Sequence, residues 1–112
     1  MSATTAEPKS QAATIRVAIA DDHSLVRQGL RRYLDTADDI EVVGEAATGE
    51  EAISLIEEAT PDIVLLDIRM PEMDGLEAAR KIRERFPKVG VIMLTAYDDR
   101  QFVVEAVRAG AR

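Results

Sequence analysis

The sequence has no cysteine and only one histidine, and no apolar run that resembles a membrane span or a secretory signal. Without cysteine there is neither a disulfide framework nor a thiolate metal site, which fits a cytoplasmic protein. Positive charge is also scarce: 14 basic residues face 21 acidic ones, for a net charge of −7. Such a surface repels a phosphate backbone, so this segment by itself is expected not to bind nucleic acid directly. There is no internal repeat and no low-complexity tract. What remains is a chain of 112 residues, 46% hydrophobic, with apolar surface for one core and no room for a second domain. Residues 1–14 are small and polar, with Pro8 and no apolar run, and are expected to form a disordered arm. The ordered domain is expected over residues 15–112.

Read for periodicity, that domain alternates short apolar runs with amphipathic stretches. Strands are predicted at Ile15 to Ala20, around Val42 and Val43 within Ile40 to Ala46, at Ile63 to Leu66 and at Val89 to Leu94. The third run, Ile63-Val64-Leu65-Leu66, is apolar at every position, as in a parallel strand buried on both faces. The first helix, Ser24 to Asp35, is predicted to turn Val26, Leu30, Tyr33 and Leu34 inward. In the second, Thr48 and Glu51 form a capping box, Ala52, Ile53, Ile56 and Ala59 face the core, and Pro61 closes the segment. The third is capped by Asp74 and buries Leu76, Ala79, Ile82 and Phe86. The fourth starts at Asp98 and buries Phe102, Val103, Ala106 and Val107. Strand and helix in alternation predict an α/β fold, a doubly wound parallel sheet with right-handed crossovers.

Open parallel sheets bind ligands beyond the carboxyl ends of their strands, so the residues that end each strand carry the functional information. Strand one ends in Asp21-Asp22, strand three in Asp67 and strand four in Thr95. Singly, each is ordinary: aspartate after a strand is a common turn or cap residue, and threonine a common β-former. His23 reads as a surface or capping residue. Together they place three carboxylates and a hydroxyl on one edge, an arrangement that repels itself unless a cation or proton neutralises it. Oxygen donors of this kind suit Mg²⁺, which keeps several waters and takes one or two carboxylates with a phosphate oxygen. The chemistry this permits is phosphoryl transfer to a carboxylate, with Asp67 attacking in line.

The runs IRVAIADDHSLVRQGLRRYL, PDIVLLDIRMPEMDGLEAARKIR, VIMLTAYDD and AVRAGA resemble receiver domains of the NarL/FixJ type of response regulator, from about Ile15 to Arg112. The resemblance implies the flavodoxin-like (CheY-like) receiver fold. It makes Asp67 the phospho-acceptor, Asp22 a direct Mg²⁺ ligand beside Asp67, Asp21 a helper through water, and the backbone carbonyl of Arg69 a further metal oxygen. It makes Thr95 the switch hydroxyl, Ala96 the small residue that leaves the acceptor accessible, and Arg69 and Tyr97 the side chains that tune phosphoryl lifetime. The implied partner is a sensor histidine kinase donating from a phosphohistidine, with a homodimer forming on phosphorylation. The implied activity is self-phosphorylation and its reversal, not enzymatic turnover.

The family continues beyond AGAR into a fifth strand, carrying a lysine and an aromatic, and a fifth helix. This chain has neither, and strand four is expected to form an apolar edge. The resemblance further implies a longer protein with a LuxR-type helix-turn-helix output domain. Three other functions compete with this one. A haloacid-dehalogenase type phosphatase needs an acid two places after its nucleophile, where this chain has Arg69. A flavodoxin-like cofactor binder wants a Ser, Thr or Gly loop after strand one, where this chain has Asp21-Asp22-His23. A pseudo-receiver binding its partner without phosphorylation stays open, because the family's lysine is missing.

Overall fold

The computed structural model describes residues 14–68, 75–94 and 100–111. Its elements are β1 (Ile15–Ala20), α1 (Ser24–Asp35), β2 (Ile40–Ala46), α2 (Gly49–Ala59), β3 (Ile63–Asp67), α3 (Gly75–Arg85), β4 (Gly90–Leu94) and α4 (Arg100–Gly110). The four strands form one parallel sheet in the order β2-β1-β3-β4. The winding therefore reverses between β1 and β3. This is the doubly wound, flavodoxin-like arrangement expected from the sequence.

Alternation along the central strands divides the interior into two cores. Val17, Ile19, Ile63 and Leu65 pack with Leu30 and Leu34 of α1 and with Val103, Val104 and Val107 of α4. Ala18, Ala20, Val64 and Leu66 point to the opposite face, against Ala52 and Ile56 of α2 and Ala78, Ala79 and Ile82 of α3. β1 presents its large side chains to the first face and alanines to the second. Full burial of one leucine or isoleucine contributes about 1.5–3 kcal/mol, so these two layers hold the sheet between its helices.

Three helix residues expected in the core are instead exposed: Val26 at 44%, Leu76 at 63% and Phe102 at 54%. In α3 the buried row is Gly75, Ala78, Ala79 and Ile82, one position away from Leu76. In α4 it is Val103, Val104 and Val107, one position from Phe102. In α1 the place inward of Val26 is taken by Arg27, whose guanidinium bonds the end of β1. Where apolar residues are adjacent, a step of one residue rotates the helix by about 100° without spoiling the pattern. Here the faces hold, since Leu30, Leu34, Ala79, Ile82, Val103 and Val107 are buried as expected, and only these three flanking residues fall outside them.

The capping box at α2 also differs from the expected form. Thr48 accepts from the Glu51 N–H at 3.1 Å, but the Glu51 carboxylate accepts from the N–H of Ala47, one residue earlier than the cap. The helix ends at Thr60 in the left-handed region (φ 45°), just before Pro61. The expected caps Asp74 and Asp98 lie outside the described residues, and α4 is described from Arg100 rather than Asp98. The expected arm, apart from Thr14, also lies outside them.

β2 carries one irregularity that matters for the site. Val17 pairs with Val42, but Ala18 pairs with Gly44, so Val43 is an extra residue bulged out of the ladder. The bulge inverts the alternation along β2. Val42 lies in the α1/α4 core, yet Ala46 lies in the α2/α3 core. Glu45, in register with Ile19, is turned to the α1 side.

Candidate metal centre

At the carboxyl end of β1, the Asp21 N–H donates to the Ala46 carbonyl at 3.0 Å, continuing the β1–β2 ladder past Ala20. Asp21 is the one charged or polar residue buried among the described residues, at 5% exposure. Asp21 Oδ1 accepts from the His23 backbone N–H at 2.8 Å, which folds the chain back toward α1. Asp22 is exposed, and Asp67 is half-buried at the end of β3. Oxygens of Asp21, Asp22 and Asp67 and a nitrogen of His23 all lie within 4.8 Å of one another. They sit outside the reversal between β1 and β3, where a parallel sheet opens a crevice.

The backbone of this end is held from behind. Arg27 Nη1 donates to the Asp21 carbonyl at 2.6 Å, and Arg27 Nε donates to Glu45 Oε1 at 3.2 Å. Arg31 Nη1 donates to Glu45 Oε2 at 2.7 Å. The Glu45 carboxyl is held below its ordinary range, chiefly by the Arg31 hydrogen bond, with Arg27 adding to it and burial opposing. Charge-assisted bonds of this kind are stronger than neutral ones, so the end of β1 is tied to β2 and to the first turn of α1.

The floor below Asp67 depends on Gly75. The Gly75 N–H donates to the Ile68 carbonyl at 2.9 Å, and the Ile68 N–H donates to the Leu94 carbonyl at 3.2 Å. A Cβ at Gly75 would overlap the Asp67 carbonyl oxygen and stand 2.8 Å from Ile68 Cα. Only glycine lets α3 start this close to the acceptor strand.

The structure thus brings together Asp21, Asp22 and Asp67, the three carboxylates picked from strand ends. Thr95 and Arg69, with Ala96 and Tyr97, lie outside the described residues; Leu94, the residue before Thr95, is in register with Asp67. His23, Arg27, Glu45 and Gly75 were not picked as site residues. His23 stands as the N-cap residue of α1, but its side chain makes no cap bond and its ring turns to the carboxylates.

Residues 17–112 match the response regulator receiver domain family. The chain belongs to this family. It is 54% identical over 98 residues to the transcriptional regulatory protein YhcZ of Bacillus subtilis, covering 88% of this chain and 46% of that protein. It is 46% identical over 97 residues to the response regulator protein VraR of Staphylococcus aureus, covering 87% of this chain and 46% of the relative. The chain therefore spans about half the length of these relatives. Among solved structures it resembles the receiver domain of the putative response regulator NarL from Mycobacterium tuberculosis (TM-score 0.71, 40% identity, 88% of this chain and 79% of that one). It also resembles a LuxR-family two-component response regulator from Aurantimonas (TM-score 0.72, 39% identity, 88% and 70%). This receiver domain is thus of the NarL/LuxR type of two-component response regulator.

Receiver domains bind Mg²⁺ at an acidic pocket, and the residues present fit that ion. Three hard oxygen donors lie together at the sheet edge, two of them open enough for the ion to keep part of its water shell. Among the described residues, no helix is long and apolar enough to cross a membrane.

Proposed function

We propose that this receiver domain accepts a phosphoryl group on Asp67, with Mg²⁺ held by Asp22, Asp67 and the Arg69 carbonyl, and by Asp21 through water. The convergence of the Asp21, Asp22 and Asp67 carboxylates at the winding reversal is the observation that carries this reading. An Asp67 carboxylate oxygen attacks phosphorus in line, the bond to the donor imidazole breaks, and an acyl phosphate remains. Bound Mg²⁺ offsets the charge of the transferred oxygens. The buried Asp21, fixed through its carbonyl by Arg27, keeps the acidic edge preorganised, and Gly75 sets the height of the acceptor.

The donor is the phosphohistidine of a sensor histidine kinase, the usual partner of receiver domains. Phosphorylation draws the Thr95 hydroxyl toward the new charge and shifts a two-state equilibrium at α4. In the whole protein this controls a LuxR-type DNA-binding output domain and promotes a homodimer, in the cytoplasm. The domain assists its own phosphorylation and dephosphorylation and turns over no other substrate. Support for the output comes from the relatives: one is named a transcriptional regulatory protein, and one solved structure of a related regulator is described as bound to a promoter.

Mass spectrometry after incubation with Mg²⁺ and a small phosphodonor tests the reading. One phosphoryl group is expected on the wild type and none on Asp67→Ala. Labelling that persists unchanged in the variant moves the acceptor elsewhere, and an unlabelled wild type removes the activity.

A further inference from the structure

We infer that His23 adds an imidazole nitrogen to this metal centre, so that the site takes borderline first-row ions such as Co²⁺, Ni²⁺ and Zn²⁺ through carboxylate and imidazole together. The inference rests on reading the acidic cluster as a divalent-cation site.

The argument starts at the backbone. His23 occupies the N-cap position of α1 with extended dihedrals (φ −96°, ψ 109°), where a side chain commonly turns back to bond the first helical N–H groups. The imidazole makes no such bond. Meanwhile the His23 N–H is anchored to Asp21 Oδ1, which fixes where the ring starts. From there Nδ1 stands 2.9 Å from Asp22 Oδ1 and 3.2 Å from Asp21 Oδ1. The side chain is 68% exposed, so reorienting it to meet an arriving hydrated ion disturbs no packing.

Two donors bound side by side on one ion, with bonds of about 2.1 Å at right angles, stand about 3 Å apart. The observed separations match that spacing. Chemistry then decides which ions use the nitrogen. Mg²⁺ demands oxygen and sheds its water reluctantly, so it is served by the carboxylates alone. From Mn²⁺ through Co²⁺ to Ni²⁺ a nitrogen ligand gains importance, and Zn²⁺ accepts imidazole readily. One crevice therefore offers two ligand sets, and His23 sets how strongly the later metals compete with Mg²⁺. The contrary reading makes the ring only a hydrogen-bond partner of the two carboxylates, displaced by any ion that arrives.

His23 is the chain's single histidine, so an imidazole signal on a bound metal has one source. Pulsed electron paramagnetic resonance with Cu²⁺ alone, an imidazole-seeking ion, is expected to show nitrogen coupling in the wild type and none in His23→Gln. Calorimetric titration is expected to show Ni²⁺ binding weakened about tenfold or more in His23→Gln. Mg²⁺ binding should change by less than about twofold. If Cu²⁺ binds and competes with Mg²⁺ but shows no nitrogen coupling, the inference is overturned while the metal centre stands. An unchanged Ni²⁺ to Mg²⁺ ratio overturns it in the same way. If the wild type binds neither Mg²⁺ nor Ni²⁺, the metal centre itself is refuted, and the role of His23 falls with it.

Discussion

Gly75→Ala tests whether the acceptor is positioned by close approach of α3. The new Cβ would stand 2.8 Å from Ile68 Cα and 2.9 Å from the Asp67 carbonyl carbon, besides overlapping the carbonyl oxygen. Carbon atoms rest comfortably at about 3.5–4.0 Å, and the overlap with the carbonyl oxygen is tighter still, so the backbone must open by about 1 Å or more. No flexible side chain can absorb this, because the atoms met are main chain. Overpacking of this kind costs about 1–3 kcal/mol, against which alanine's helical preference returns at most about 1 kcal/mol. The larger effect falls on the chemistry. Misplacing a reacting group by about 1 Å can slow a reaction about 100-fold. Phosphorylation by a small phosphodonor, followed by mass spectrometry, is expected to slow by about 10–100-fold. The melting temperature should fall only modestly. Gly110→Ala is the control, since its Cβ would meet only side-chain ends, Ile63 Cδ1 at 3.2 Å and Ile92 Cδ1 at 3.6 Å. A Gly75→Ala protein labelled at the wild-type rate would falsify the positioning argument.

Three further outcomes are expected. Asp22→Ala should raise the Mg²⁺ concentration needed for half-maximal phosphorylation at least about tenfold without a matching loss of fold; equal Mg²⁺ dependence in both proteins removes Asp22 from the ligand set. Glu45 has a depressed folded pKa, so its contribution to stability is present above its unfolded pKa and is lost as pH falls through the folded one. Urea titrations from about pH 6 down to about pH 3 should therefore show wild type and Glu45→Gln converging, and a constant gap contradicts the role given to Arg31 and Arg27. Leu65, fully buried at the centre of the sheet, should cost about 2–5 kcal/mol on replacement by alanine, read from chemical denaturation; a loss below about 1 kcal/mol means the core is not packed as described.

The fold was legible where the pattern had a single reading. β1, α1 and β2 run over the residues their periodicity predicts, and Ile63 to Leu66 is the doubly buried strand its unbroken apolar run implies. The acidic edge was legible for a related reason: parallel strands of similar length put their final residues side by side, so Asp21, Asp22 and Asp67 follow from the topology alone. What escaped depends on contacts between distant residues. Leu76 and Phe102 stand at the margin of faces whose members Ala79, Ile82, Val103 and Val107 are buried as their spacing predicts, and only tertiary packing sets where those faces end. Arg27 meets Glu45 across 18 positions, and nothing in a local window distinguishes that arginine from a solvated one. His23 reads as a surface or capping residue and is exposed at the N-cap position; what a local reading misses is that its ring turns to the carboxylates beside it. Gly75 followed Asp74 like an ordinary turn glycine, and its necessity shows only once Asp67 and Ile68 are packed against it.

The bulge at Val43 has a consequence at the rim of the sheet. β2 is an outer strand, with β1 on one side and no strand on the other among the described residues. A straight outer strand of Ile40, Val42 and Val43 would offer a regular row of backbone groups to a passing chain. The extra residue breaks that row midway and increases the local twist, while exposed Glu41 places a charge on it. The same residue that turns Glu45 toward its arginines thus makes this border a poor template for another molecule's strand, and deleting it should bring self-association as well as a loosened site.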